Sequence, residues 1–327
     1  MGSHRRYAVI GTGAVGGFYG AKLQQVGQEV HFLCRGDVEH VRQHGLKIDS
    51  CQGDFCLPTV QVYGSVAEMP ACDVVIVALK ATQNHLLPNL LPAVLAPGGV
   101  VLLLQNGLGG EAWVAEIVGS DHVMGGLCFI SSNKVGPGHI AHLDYGAIQL
   151  GEYGADYLAC GISTRMEQIR ADLEPAGIPI QLSENLLQSR WIKLVWNIPF
   201  NSLSVIFGAT TDQMMGDPNA RHLAEDLMQE VVVGAAACGC IVSEKLVADM
   251  LERTATMASY STSMKLDYEH QRPLEVEAIV GNPLRAAQAQ RADLIRIETV
   301  YRQLKMLDSR NRSLKRKAKL KEVQPAH

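Results

Sequence analysis

The sequence predicts an α/β protein with an N-terminal Rossmann-type doubly wound domain and a C-terminal all-α helical domain. Short β-branched runs alternate with helical stretches through the first half of the chain. Two of those runs, Asp73–Ala78 and Val100–Leu104, are almost wholly apolar, as expected of parallel strands covered on both faces. After about Leu182 the pattern changes to long helical periods separated by Gly and Pro. A length of 327 residues favours two domains, and a 47% hydrophobic content excludes a disordered chain or a low-complexity scaffold.

Arg6–Ile10 reads as the first strand, Ala14–Val26 as a helix and Glu29–Leu33 as the second strand. Asp73–Ala78 and Val100–Leu104 follow, joined by a crossover helix over Gln83–Leu95 that Pro97-Gly98-Gly99 ends. Further strands are predicted at Gly126–Ser132, His139–Leu143 and Ala147–Gly151. Helical periods then occupy Leu186–Asn197, Asn219–Cys238, Ser243–Met257 and Leu274–Gln290. These elements predict a nucleotide-type domain over residues 1–182, a helical substrate domain over 183–308 and a basic, flexible tail over 309–327.

The net charge of −4 is unevenly spread. From Ser309 onward seven basic residues face one acid, so the tail carries +6 and the body −10. An acidic body argues against nucleic acid as the main partner, and a short basic end reads as a solvated, frayed terminus. No uncharged apolar run approaches the ~18 residues needed to cross a bilayer. Eight Cys (34, 51, 56, 72, 128, 160, 238, 240) and eleven His show no metal-ligand spacing. The Cys in apolar runs, such as Cys128 and Cys238, read as small buried hydrophobes. The first residues lack the apolar core of a secretory signal, so reduced thiols and a cytoplasmic location are expected.

The most specific local signal is Gly11-Thr12-Gly13-Ala14-Val15-Gly16, which follows a strand and opens a helix. In a dinucleotide-binding turn the first Gly makes the bend, the second lets backbone approach a pyrophosphate and the third lets helix and strand pack closely. The helix N-terminus then offers N–H groups and a positive dipole end. At the end of the second strand, where NAD binders carry an acid for the ribose hydroxyls, the chain reads Cys34-Arg35-Gly36-Asp37. Arg35 suits the 2′-phosphate of NADP(H). The alternative is Asp37 as the ribose ligand, with Arg35 an exposed turn residue.

Lys80 directly follows an apolar strand, and Gln105-Asn106-Gly107 ends the next one. In an open α/β sheet that edge faces the ligand. Farther on, Lys193, Asn197 and Asn201 recur every fourth residue among apolar neighbours and share one helix face. Buried polar groups left unpaired would cost roughly 1–3 kcal/mol each, so a polar ligand would justify them. The bland alternative is a Lys snorkelling from an amphipathic helix. Pro199 is a candidate kink or stop that would weaken the phase argument for Asn201. Ser261 to Met264, Asp267, Glu269, Glu275 and Glu277 form a weaker cluster, which caps and first-turn acids would also explain.

Taken together these motifs resemble the ketopantoate reductase family from Tyr7 to about Leu307. The carriers are the glycine loop, Leu79-Lys80, Gln105-Asn106-Gly107, Lys193…Asn197…Asn201, Ser263-Met264 and Arg272-Pro273-Leu274-Glu275. The resemblance implies NADPH-dependent reduction of 2-dehydropantoate to (R)-pantoate, with Lys193 as the acid that protonates the ketone oxygen and Glu275 as the second catalytic residue, at the cofactor as well. It implies substrate contacts from Asn197, Asn201 and Ser263, Lys80 and Asn106 beside nicotinamide and substrate, and Arg35 on the 2′-phosphate. Lys265 departs from the family pattern by adding a charge near the acid-binding region. Three other readings stay open: a different 2-keto acid, an NADP(H)-binding sensor without turnover, and a nucleic-acid contact by the tail. A monomer or a homodimer is expected.

Overall fold

The structure, a computed structural model, describes residues 5–323, with the side chains of 244 and 314–323 outside the description. Its elements in chain order are β1 (Arg6–Ile10), α1 (Ala14–Gln25), β2 (Glu29–Leu33), α2 (Val38–His44), β3 (Leu46–Ser50), β4 (Phe55–Leu57), β5 (Gln61–Tyr63) and β6 (Cys72–Val77). Then come α3 (Leu87–Val94), β7 (Leu95–Leu103), α4 (Gly110–Val118), β8 (Val123–Gly136), β9 (His139–Glu152), α5 (Thr164–Leu173) and β10 (Ile180–Ser183). The remainder is helical: α6 (Leu186–Phe207), α7 (Thr211–Gly216), α8 (Pro218–Ala237), α9 (Glu244–Thr256), α10 (Ser263–Glu269), α11 (Asn282–Ala289) and α12 (Ile295–Val323). The chain divides into two units between Ser189 and Arg190, whereas the sequence border was drawn after Leu182.

The first unit is a ten-stranded sheet in the order β4-β3-β9-β8-β7-β6-β1-β2-β5, with β10 pairing β9. From β5 to β8 every pairing is parallel, and the order reverses between β1 and β6. Both faces are covered, and residues alternate between them. Tyr7, Val9, Val74, Ile76, Val100 and Leu102 join α1 and α5 in one core. Ala8, Ile10, Val75, Val77, Val101 and Leu103 join α3 and α4 in the other. Burial on both sides is why these strands read as unbroken apolar runs.

Four expected boundaries shift, each for a local reason. The crossover helix is a 3₁₀ turn over Ala81–Leu86 followed by α3, because Pro88, lacking an N–H, starts a fresh helix. Pro97-Gly98-Gly99, read as the helix stop, lies inside β7. There the register jumps from Cys72↔Leu95 to Val74↔Val100, and the three residues form an irregularity between the two pairings. The three strands expected between Gly126 and Gly151 are two long ones, β8 and β9, with register shifts beside Tyr145, whose φ is +63°. The period over Leu274–Gln290 is a π-turn at Glu277–Gly281 running into α11. Pro283 cannot donate into an α-helical ladder, and the wider turn accommodates it.

Among the described residues of the second unit, from Arg190, every regular element is a helix. Pro199 does not end α6, which continues to Phe207. The segment expected to fray from Ser309 belongs to α12, whose backbone is helical to Val323, and Asn311 is buried. The last four residues of that tail, 324–327, lie outside the described residues.

Candidate functional site

Because β2, β1, β6 and β7 are parallel neighbours, their C-terminal ends lie along one edge of the sheet. That edge holds the glycine loop after β1, Arg35 after β2, Lys80 after β6 and Asn106 after β7. It also contains the reversal in strand order, where open α/β sheets bind their ligands. Gln105 braces it: its Nε2 donates to Leu79 O at 2.8 Å and to Asn84 Oδ1 at 2.6 Å. Lys80 is exposed and Asn106 half-buried.

In the loop the three glycines are required for three different reasons. Gly11 has φ +101°, and a Cβ there would meet Leu79 N at 2.8 Å. A Cβ on Gly16 would lie 2.3 Å from Gly11 O and 2.9 Å from both Ala78 Cβ and Val9 Cγ1, so α1 rests directly on the sheet. A Cβ on Gly13 would meet nothing within 4 Å. Packing therefore does not explain that glycine, whereas close approach of a ligand to the backbone does. No side chain caps α1, and its first turn, Ala14, Val15 and Gly16, presents N–H groups at the positive end of the helix. The residues present fit a dinucleotide diphosphate. The Thr12 side chain takes a structural part, with Oγ1 donating to Leu33 O at 3.0 Å.

At the end of β2, Arg35 is exposed. Asp37, the alternative ribose ligand, is already engaged. Its Oδ2 accepts from Lys134 Nζ at 2.6 Å and from Gly138 N at 2.9 Å. Burial works to raise the Asp37 carboxyl, but the Lys134 ammonium and the Gly138 N–H hold it below the ordinary aspartate range. Lys134 Nζ also lies 3.3 Å from Thr12 O, which brings a second cation to the glycine loop.

In the helical unit, the continuity of α6 through Pro199 keeps Lys193, Asn197 and Asn201 on one face. Lys193 is half-buried, while Asn197 and Asn201 are buried. Asn201 Nδ2 donates to Asn197 O at 2.9 Å, and Asn201 Oδ1 accepts from Met264 N at 3.4 Å. Ser204 Oγ bridges Asn201 O at 3.1 Å and Thr262 Oγ1 at 2.6 Å, and Thr262 caps α10 by accepting from Lys265 N. The polar line on α6 is thereby fixed to the start of α10, where Ser263 is the first residue. Lys265, the departure noted from the sequence, is paired with Glu269 four residues on. Its charge is neutralised within α10. Asp267 pairs with Arg272 at 2.7 Å, and Glu277 is held by Arg285, Tyr301 and Lys305, so both acids have structural partners.

Glu275 is buried and sits two residues before the π-turn. Helix α12 anchors the segment leading to it. Asp308 Oδ1 accepts from Leu274 N at 2.9 Å and Asn311 Nδ2 donates to Arg272 O at 3.1 Å. Asp308→Ala strands the buried Leu274 N–H, at a cost of about 1–3 kcal/mol. We expect a lower melting temperature and a lower kcat for Asp308→Ala, and recovery of most of both in Asp308→Asn, which keeps the acceptor. Thermal melts beside steady-state rates check this, and equal losses in the two variants would contradict it. Sequence reading passed over Lys134, Asp308 and Asn311. No local motif marks them, since each acts on a partner distant in the chain.

Two family models match the chain: Ketopantoate reductase PanE/ApbA over residues 7–155, and Ketopantoate reductase PanE/ApbA C terminal over residues 185–308. The curated 2-dehydropantoate 2-reductase of Nostoc sp. is 56% identical over 311 residues, covering 95% of this chain and 98% of that one. Among solved structures, 2-dehydropantoate 2-reductase from Geobacter metallireducens superposes with a TM-score of 0.89 at 37% identity, covering 92% of this chain and 99% of the other. The enzyme of that name from Methylococcus capsulatus gives 0.85 at 35% identity, covering 94% and 98%.

Proposed function

The chain belongs to the ketopantoate reductase family, and on that premise we propose that it reduces 2-dehydropantoate to (R)-pantoate with NADPH. That reaction supplies pantoate for pantothenate and coenzyme A. The observation that carries the reading is the polar face of α6, with Lys193, Asn197 and Asn201 on one continuous helix tied to the start of α10. Asn201 serves in part to tie α6 to α10, but that tie does not call for a buried Asn197 and a half-buried Lys193 on the same line. A site for a small polar molecule does.

The loop from Gly11 to Gly16 and Arg35 would hold the nicotinamide cofactor, which when bound would supply the hydride for the 2-keto carbon. As the ketone oxygen gains negative charge, Lys193 Nζ gives it a proton and is left as a neutral amine. Glu275 orients the lysine and the substrate hydroxyl. Asn197 and Asn201 hold the hydroxyl end of the substrate through their amides, and Ser263 holds its carboxylate. Lys80 and Asn106 act at the sheet edge, on the nicotinamide side of the substrate. The 2′-phosphate of NADPH is matched to Arg35, because the carboxylate that could hold a free ribose is bonded elsewhere. Among the described residues no helix is long and apolar enough to cross a membrane, and all eight cysteines are free, which suits the reducing cytoplasm.

The test is the loss of NADPH absorbance with a panel of 2-keto acids. We expect kcat/KM for 2-dehydropantoate to exceed that for its analogue lacking only the 4-hydroxyl by about a hundredfold or more, because the buried Asn197 amide would lose the partner that this hydroxyl supplies. Equal rates would point to a different 2-keto acid. Tight NADPH binding without turnover of any keto acid would make the protein a sensor.

A further inference from the structure

β8 overlaps β7 only from Val101↔Val123 to Leu103↔Gly125. The rest of β8 runs on past the C-terminal edge of β7, paired with β9 instead. This overhang brings Lys134 to the glycine loop, with Nζ 3.3 Å from Thr12 O and 2.6 Å from Asp37 Oδ2. The turn beyond it is fixed in place. Gly138 N donates to the same Oδ2 at 2.9 Å, and Gly138 O accepts from Lys47 N at 2.8 Å. A Cβ on Gly138 would lie 2.8 Å from Gly45 O, so the turn sits close against the end of α2.

We propose that Lys134 determines cofactor specificity, by withholding Asp37 from the ribose site and so leaving the charge of Arg35 uncancelled by that acid. The proposal rests on the dinucleotide reading of the glycine loop. Asp37 stands two residues past Arg35, in the region where NAD-binding chains place an acid for the ribose hydroxyls. A carboxylate with open lone pairs there would favour NADH and repel a 2′-phosphate. Oδ2 instead takes a cation and an N–H, and the pair is partly buried, with Asp37 at 11% and Lys134 at 32% side-chain exposure, so salt screens it less than a surface pair. With Asp37 neutralised by Lys134, the charge of Arg35 is left for a phosphate. Without Lys134 the acid and Arg35 cancel, and Asp37 can turn to the ribose.

The experiment measures Kd for NADPH and for NADH by nicotinamide fluorescence on substrate-free protein, for wild type, Lys134→Met and the double variant Lys134→Met/Asp37→Asn. In Lys134→Met we expect NADPH to bind about tenfold more weakly and NADH to bind at least as well as to wild type, so that the preference for NADPH falls by about tenfold or more. The double variant, which removes the exposed acid, is expected to recover part of the NADPH affinity, and it also keeps the test open if Lys134→Met alone does not fold. A preference within about threefold of wild type in Lys134→Met would overturn the proposal. So would a double variant no better for NADPH than the single one, because sequestering Asp37 would then have no effect. A wild type that binds neither nucleotide would overturn the dinucleotide reading itself, an outcome distinct from binding with an unmoved preference.

Discussion

Lys193→Ala is expected to lose about a hundredfold to ten-thousandfold in kcat, the usual contribution of a positioned proton donor. Its Kd for NADPH should stay within about threefold of wild type, because the glycine loop and Arg35 belong to the other unit. The physical ground is the alkoxide that a hydride leaves on the former ketone oxygen, which needs both a cation and a proton. Lys193→Arg separates the two. Guanidinium keeps the charge but does not give up its proton in proteins, so its kcat should also be low, with less disturbance of KM than in the alanine variant. Steady-state rates beside fluorescence titration make the comparison. Near wild-type kcat in Lys193→Arg would mean that the residue acts through charge alone, and near wild-type kcat in Lys193→Ala would remove it from the reaction.

The second large effect is a contrast within the glycine loop. Gly16→Ala places a methyl 2.3 Å from Gly11 O, and that oxygen is backbone with no room to move. Alanine's better helix propensity, worth up to about 1 kcal/mol, does not offset overpacking of about 1–3 kcal/mol or more. For a unit of this size the melting temperature should fall by roughly 3–10 °C, and dinucleotide affinity should fall with it. Gly13→Ala adds the same methyl where nothing lies within 4 Å. Its melting temperature should fall by only about 2–4 °C, since alanine in place of glycine at the N-cap costs about 1 kcal/mol. Its dinucleotide affinity should drop by about a hundredfold, because the methyl takes up the space through which a diphosphate reaches the first-turn N–H groups. Melts and titrations on both variants decide this. Normal binding by Gly13→Ala would show that no phosphate approaches there.

How much was legible in the sequence depends on the range of the forces involved. Arg6–Ile10 and Glu29–Leu33 are strands with the expected bounds, and α1 ends one residue before its expected end at Val26. Their signals are local: β-branched runs, a glycine turn and a helical period. Prolines were harder to read. Pro97, a stop by its local chemistry, lies within a strand, and Pro199, a candidate kink or stop, stands inside α6. Pro199 is buried, and packing there outweighs the single lost hydrogen bond, whereas Pro97 is exposed and sits where β7 makes no ladder pairing that would need its N–H. The short strands β3, β4 and β5 carry little pattern of their own and are specified by their partners, as in the pairing Lys47↔His139.

By itself the sequence determined the doubly wound sheet, the helical second half, the glycine loop and the polar line of Lys193, Asn197 and Asn201, because side-chain periodicity and turn chemistry are written within a few residues, whereas Ser263 and Glu275 became candidates only through the family resemblance. Only the tertiary structure decided what those residues are bonded to. It spends Asp37 on Lys134, pairs Lys265 with Glu269, and makes the start of the supposed tail an anchor for the segment before Glu275. Apart from the pair within α10, these are contacts between groups tens of residues apart. A hydrogen bond or ion pair forms wherever the fold brings donor and acceptor together, and it leaves no spacing in the chain to be read.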